Sequence, residues 1–237
     1  MKAFKTIFGI GACIGILAAS IGSISAQVYT GTLAGLVASG GSLTIGDKTF
    51  SGFAFQATGL TAFDPTAISV TASESGGVDY LTWTGNISLI SSGTTTADLV
   101  LNYIVTANPG SINMIDQSYT LGNAINGLLA VDETVSAGAF GGTIVAYSHL
   151  DTGDLSDPPA EPVQGDNLNI NPAQSVLYVT KDITLGVIPP VGAAGSVTIT
   201  QVEQSFHQVP EPTVMALGSL SGGLLLFLRS RRQARRN

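Results

Sequence analysis

The residues that could do chemistry are few. His149 and His207 are the only histidines in the 237 residues. A Ser-His-Asp arrangement must recruit one of them as its base, and neither adjoins a Gly-x-Ser-x-Gly elbow. His207 falls just before a proline-flanked segment and reads as part of a linker, not of a pocket. A zinc site built on two distant histidines would need carboxylates for its remaining ligands. Asp132-Glu133 is an adjacent pair of acids of the kind glycosidases use, but neighbours on a strand point to opposite faces and cannot flank one bond. Asp151, Asp154 and Asp157 recur every third residue, and their hard oxygens suit Ca2+, although the alternating acids and glycine of an EF-hand loop are missing. A solvated acidic loop accounts for the same residues. Trp83, Tyr80, Tyr103 and Tyr147 could stack on sugar rings, yet a lone tryptophan in an alternating strand reads as core. These residues predict no enzyme, and no cofactor beyond Ca2+ at the three aspartates.

The elements that must position these groups are strands. Residues 27–208 are rich in Thr, Val, Ser and Gly and contain no amphipathic stretch of helical period and length. Ser42-Leu43-Thr44-Ile45, then Gly46-Asp47, then Lys48-Thr49-Phe50 reads as two strands joined by a two-residue hairpin turn. Val78, Tyr80 and Thr82 share one face of a further strand and Leu81 and Trp83 the other. Residues 99–105 are apolar on both sides and mark a central strand. Residues 143–147, 176–185 and 197–202 continue the series, separated mostly by Gly or Pro clusters. Residues 151–172 hold four prolines and five acids and read as one long exposed loop. Ten or so short strands without helices predict an all-β, antiparallel two-sheet sandwich, jelly-roll-like. A right-handed parallel β-helix is the other architecture, and the lack of a fixed-period repeat counts against it.

Both ends differ from this domain. Lys2 and Lys5 precede an uncharged apolar run, and Ser23-Ile24-Ser25-Ala26 supplies small residues for a signal peptidase, so residues 1–26 read as a signal peptide. Cys13, the one cysteine, lies inside that leader, which leaves the mature domain no thiol for a disulfide or a metal. Residues 27–212 carry 2 basic residues, Lys48 and Lys181, against all 16 acids, a net of −14. Such a surface repels phosphate backbones, so no nucleic-acid partner is expected.

At the other end, Val209-Pro210-Glu211-Pro212 precedes an uncharged apolar run over residues 213–228, and then come Arg229, Arg231, Arg232, Arg235 and Arg236. The prolines make the tetrapeptide a stiff, extended strip, and Pro212 suits the first turn of a helix. At ~1.5 Å per residue the run spans roughly 24 Å of a ~30 Å hydrocarbon core, a gap that snorkelling arginines and local thinning can close. The basic cluster of residues 229–237 holds that end of a single transmembrane helix in the cytoplasm and leaves the domain on the periplasmic side.

This order of motif, helix and basic cluster over residues 209–237 resembles the PEP-CTERM sorting signal of Gram-negative bacteria. It departs from the commonest pattern in Thr213-Val214-Met215 after the motif and in Gln233 among the arginines. The resemblance implies an exosortase as partner, with Val209, Pro210, Glu211 and Pro212 as its substrate site, and the inner membrane as the anchor before processing. It also implies a setting of extracellular polysaccharide and biofilm matrix. The sequence therefore predicts an exported cell-surface or matrix protein of structural or adhesive type. The alternative is a polysaccharide- or calcium-binding β-sandwich module at the cell surface.

Overall fold

Thr, Val and Ile at period two favour extended backbone, and the computed structural model, which describes residues 28–152 and 164–208, is built almost wholly of strands. In chain order these are β1 (Val28–Thr32), α1 (Leu33–Ser39), β2 (Leu43–Ile45), β3 (Lys48–Thr58), β4 (Ser69–Ser75), β5 (Val78–Ser91), β6 (Thr95–Ala107), β7 (Ile112–Ile125), β8 (Gly127–Ala137), β9 (Thr143–Asp151), β10 (Gly165–Gln174), β11 (Val176–Val187) and β12 (Gly195–Gln208). They form two six-stranded sheets. Sheet A runs β1-β4-β5-β12-β7-β10 and sheet B runs β2-β3-β6-β11-β8-β9. All the pairings are antiparallel, which removes the parallel β-helix.

Counted from β5, the last eight strands pair first with eighth, second with seventh, third with sixth and fourth with fifth. That is a long hairpin rolled into two sheets, the jelly-roll order. The remaining strands extend one edge of each sheet, β4 and β1 beside β5 and β3 and β2 beside β6.

The core lies between the sheets, and its pattern follows the pleat. Along β6 every second residue from Ala97 to Ala107 is buried, while the intervening side chains are partly covered. Tyr103 is at the centre, with its ring 5.2 Å from Trp83 and 6.3 Å from Phe53. Phe50 and Phe206 close the cluster. Trp83 is therefore core, as its alternating strand predicts. The hairpin is also as predicted: Ile45 pairs with Lys48, and Gly46 takes the left-handed φ of 55° that the first centre of a two-residue turn demands.

The structure departs from the sequence expectations in three places. A short helix follows β1, capped by the Thr32 side chain accepting from the Gly35 N–H at 3.1 Å and ended by Gly40 at φ 58°. Seven residues are too few for a helical period to show, yet Leu33 and Leu36 bury one side of it. The loop expected over 151–172 does not hold for its last residues, because Gly165–Gln174 is strand β10 with Leu168 and Ile170 buried. Pro172 misled there: β10 is an edge strand with a register shift between Asn169 and Gln174, a place where a missing N–H is tolerated. His207 is on β12 beside β7, not in a linker. Among the described residues no helix is long and apolar enough to cross a membrane. The signal peptide, the Val209–Pro212 motif, the apolar run, and the Arg229, Arg231, Arg232, Arg235 and Arg236 cluster all lie outside the described residues.

Candidate functional site

The outward-facing residues of sheet A form ordered rows, because antiparallel register puts side chains of one face directly opposite each other. Tyr80 on β5 pairs with Ser205 on β12, Ser205 with Asp116 on β7, and Asp116 with Asn167 on β10. One step along, Thr82 pairs with Glu203, Glu203 with Ser118, and Ser118 with Gly165. On the other side His207 pairs with Met114. Apart from Thr82 and Met114, these residues line a cleft of about 330 Å3. Gly165 adds no side chain to that row.

Hydrogen bonds tie the cleft residues to one another. His207 Nε2 lies 2.7 Å from Asp116 Oδ2, and the Ser205 hydroxyl donates to the same oxygen at 3.0 Å. Ser205 Oγ and His207 Nε2 are 3.1 Å apart. Serine, histidine and aspartate therefore meet, but both partners crowd the same imidazole nitrogen. A relay needs the base between nucleophile and acid, with one ring nitrogen for each. Asp116 Oδ1 is buried and accepts no hydrogen bond among the described residues. Glu203 Oε2 accepts from Thr82 and from the Gln201 amide, each at 3.3 Å. Register alone assembles this constellation, since Asp116 and Glu203 come from strands far apart in sequence.

Sheet B presents a second polar group on its outer face. Asp132 accepts from the Tyr147 hydroxyl and lies 2.8 Å from His149 Nδ1, while His149 Nε2 is 3.4 Å from Asp151 Oδ2. The hydrogen bond to Asp132 raises the His149 pKa above its ordinary 6.5. Asp182 pairs directly with Asp132 across β11 and β8; burial, then the charges of Asp98 and Asp132, push its carboxyl up. Tyr147 is exposed there, so of the four aromatics weighed for sugar stacking Trp83 and Tyr103 are core, and Tyr80 and Tyr147 reach outer faces. Of the proposed calcium ligands only Asp151 is described; Asp154 and Asp157 lie outside the described residues. Among the described residues no three histidines or acids gather as a metal would need.

Both cations of the domain are inside it. Lys48 is buried at the start of β3, 2.7 Å from Asp79 and 3.0 Å from Asp47. Lys181 on β11 is wholly buried and bonds to Glu133, its register partner on β8. Its ammonium also donates to Gln117 Oε1 on β7 at 2.7 Å. The chain of contacts continues on both sides. Gln117 Nε2 donates to Ser148 Oγ at 2.8 Å, Gln204 Nε2 to Glu133 Oε1 at 2.8 Å, and Tyr103 OH to Gln204 Oε1 at 2.7 Å. Burial depresses the Lys181 pKa against the pull of Glu133, and burial, then the Glu133 charge, pushes the Tyr103 phenol well up. Glu133 points inward and Asp132 outward, as their adjacency on a strand predicts. With both lysines buried, no Lys or Arg side chain reaches the surface among the described residues.

No family model and no curated protein matches this sequence. Among solved structures, TmCBM61 in complex with beta-1,4-galactotriose is similar at 9% identity and a TM-score of 0.28, over 65% of this chain and 88% of that one. At that level of likeness the functional reading has to rest on the geometry of the chain itself.

Proposed function

We propose that this chain is an exported surface or matrix protein whose sandwich binds a neutral, hydroxyl-rich polysaccharide in the sheet A cleft. One observation carries the reading: the register rows place Asp116, Asn167, Ser118, Glu203, Ser205, His207 and Tyr80 together on one open sheet face. Carboxylates, an amide and an imidazole accept and donate to sugar hydroxyls, and a tyrosine ring covers their C–H faces. Anionic polymers are disfavoured, since three acids line the cleft and both lysines are buried elsewhere. The cleft acts by binding and leaves the glycan intact. The sorting tail supplies the setting: the Val209–Pro212 strip directly follows β12, so an exosortase would receive its substrate at the end of the folded domain.

Titration calorimetry of the mature chain against neutral and uronic-acid polysaccharides tests the binding. Saturable binding of a neutral glycan that His207→Ala weakens, with the sugar recovered uncut, is the expected result; equal binding by the variant would move the site elsewhere. Sorting is tested separately by the mass and cell fraction of the native protein against a Pro210→Ala, Glu211→Ala, Pro212→Ala variant. An unchanged C-terminus and fraction in both would reduce the tail to an anchor.

A further inference from the structure

The inward row of polar residues is more than the cleft needs. Lys181, Glu133 and Ser148 stand side by side on β11, β8 and β9, because Glu133 is the register partner of both others. Gln117 and Gln204 face them from sheet A and are themselves register partners. All five are buried, apart from the Lys48–Asp79 pair and within an interior filled mainly by aliphatic and aromatic side chains. An ion pair alone is a poor reason for such a row, since apolar residues of similar volume would commonly hold the sheets as well.

We infer that Lys181 and Gln117 join in an amide cross-link between the two sheets, with Glu133 carrying the protons. The Lys181 nitrogen lies 2.7 Å from Gln117 Oε1, so the amide carbon is one bond beyond a group it already touches. Ser148 holds the amide by its nitrogen. Glu133 touches the amine and is steadied from the other side by Gln204. Positioned pairs of this kind react at effective molarities of about 10⁵ M or more, which is what a sluggish amide requires. Burial supports the step, because it depresses the Lys181 pKa and so favours the neutral, nucleophilic amine over the ammonium.

The balance closes without a co-reactant. Glu133 takes one proton from the ammonium, and the freed lone pair attacks Gln117 Cδ. The new C–N bond forms as the bond to Nε2 breaks, and Nε2 leaves as ammonia with the proton that Glu133 returns to it. A second proton from the former ammonium stays on the Glu133 carboxyl. One amine and one primary amide become one secondary amide and ammonia. The bond would do for a cysteine-free exported domain what a disulfide does elsewhere, closing the chain between positions 117 and 181.

Trypsin provides the test, because Lys48 and Lys181 are its only sites between residues 6 and 228. The full chain from its native host is denatured and digested. The expected result is a normal cut after Lys48, loss of the cut after Lys181, and a fragment starting at Thr49 that is lighter by one ammonia. A further protease should release a branched peptide joining residues 117 and 181. Ammonia lost by cyclisation of an N-terminal Gln27 would stay on the fragment before Thr49 and cannot be confused with it. Complete cutting after Lys181, with both products at full mass, overturns the inference. So does loss of one water with Lys181 joined to Glu133. Glu133→Gln should restore the cut, and should that variant fail to fold, the wild-type digest decides alone.

Discussion

Three strands each carry a polar pair whose members face opposite ways: Asp116-Gln117 on β7, Asp132-Glu133 on β8 and Lys181-Asp182 on β11. Gln117, Glu133 and Lys181 point between the sheets and find one another. Asp116, Asp132 and Asp182 point outward and meet histidines, hydroxyls or solvent. Polar neighbours one position apart thus serve the inter-sheet network on one face and stand on an outer face on the other, where Asp116 alone lines the proposed glycan cleft. Inside, every charge has a counter-charge, although Asp79 leaves one oxygen unmatched; outside, Asp116 keeps an unmatched oxygen too and Asp182 sits beside other acids. Stability and binding should therefore be separable by choosing the parity of the mutated residue.

The largest separation is expected from Lys181→Met. It leaves Glu133 buried without its cation, which costs about 3–5 kcal/mol on the scale of broken buried pairs, and it removes the cross-link. Denaturant unfolding should register the loss, while the folded fraction binds glycan with unchanged affinity. The double variant Lys181→Met, Glu133→Met sharpens this. If only the ion pair mattered, apolar replacement would recover most of the stability. A lost cross-link over 64 residues should leave it about 4 kcal/mol below wild type, by analogy with a disulfide loop of that length.

Outer-face changes should invert the pattern. Asp116→Asn keeps the shape of the row but weakens the contacts of His207, Ser205 and bound hydroxyls, each about 1.5–3 kcal/mol when charged. Glycan affinity should fall roughly tenfold or more, with a loss of stability smaller than that of Lys181→Met. Tyr80→Ala comes next. It removes one stacking face worth about 0.5–1.5 kcal/mol, a loss of a few-fold to tenfold in titration calorimetry. A large drop in stability from either change, without a change in binding, would collapse the distinction between the two faces.

The inner face left a signal in the sequence that the strand reading did not use. Val179-x-Lys181-x-Ile183-x-Leu185 keeps strict alternation with a lysine at a core position, and Val131-x-Glu133-x-Val135 and Ile115-x-Gln117-x-Tyr119 do the same. Three polar residues of inward parity were the signal for a buried network, although which strands pair could not be read from it. The cleft was less accessible. Its rows depend on register among β5, β12, β7 and β10, and the shift between Ile199 and Gln201 reverses the parity of β12 before Ser205 and His207. The prolines that made residues 151–172 look like one loop also hid β10, the wall that turns a flat sheet face into a cleft.

The smallest effect concerns the outer face of β8 alone. His149 has its pKa raised chiefly by the hydrogen bond to Asp132, so folding favours its protonated form. A group raised in the folded state contributes its full stabilisation below the unfolded value of 6.5 and loses it as pH climbs through the folded value. With 48% of its side chain exposed, the contribution is screened and should stay below about 1 kcal/mol. The thermal midpoint should fall slightly between about pH 6 and pH 8, and Asp132→Asn should flatten that fall. The other groups that feel Asp132 have ordinary values outside this window: Asp182 is a carboxyl raised from 3.8 and Tyr147 a phenol raised from 10.0. The His149 ring resonance, followed by NMR, reads its titration alone. A midpoint above 6.5 that Asp132→Asn lowers toward 6.5 ties the pH effect to the outer acid, whereas an unshifted midpoint would leave Glu133 and the inner row as the only electrostatic structure on β8.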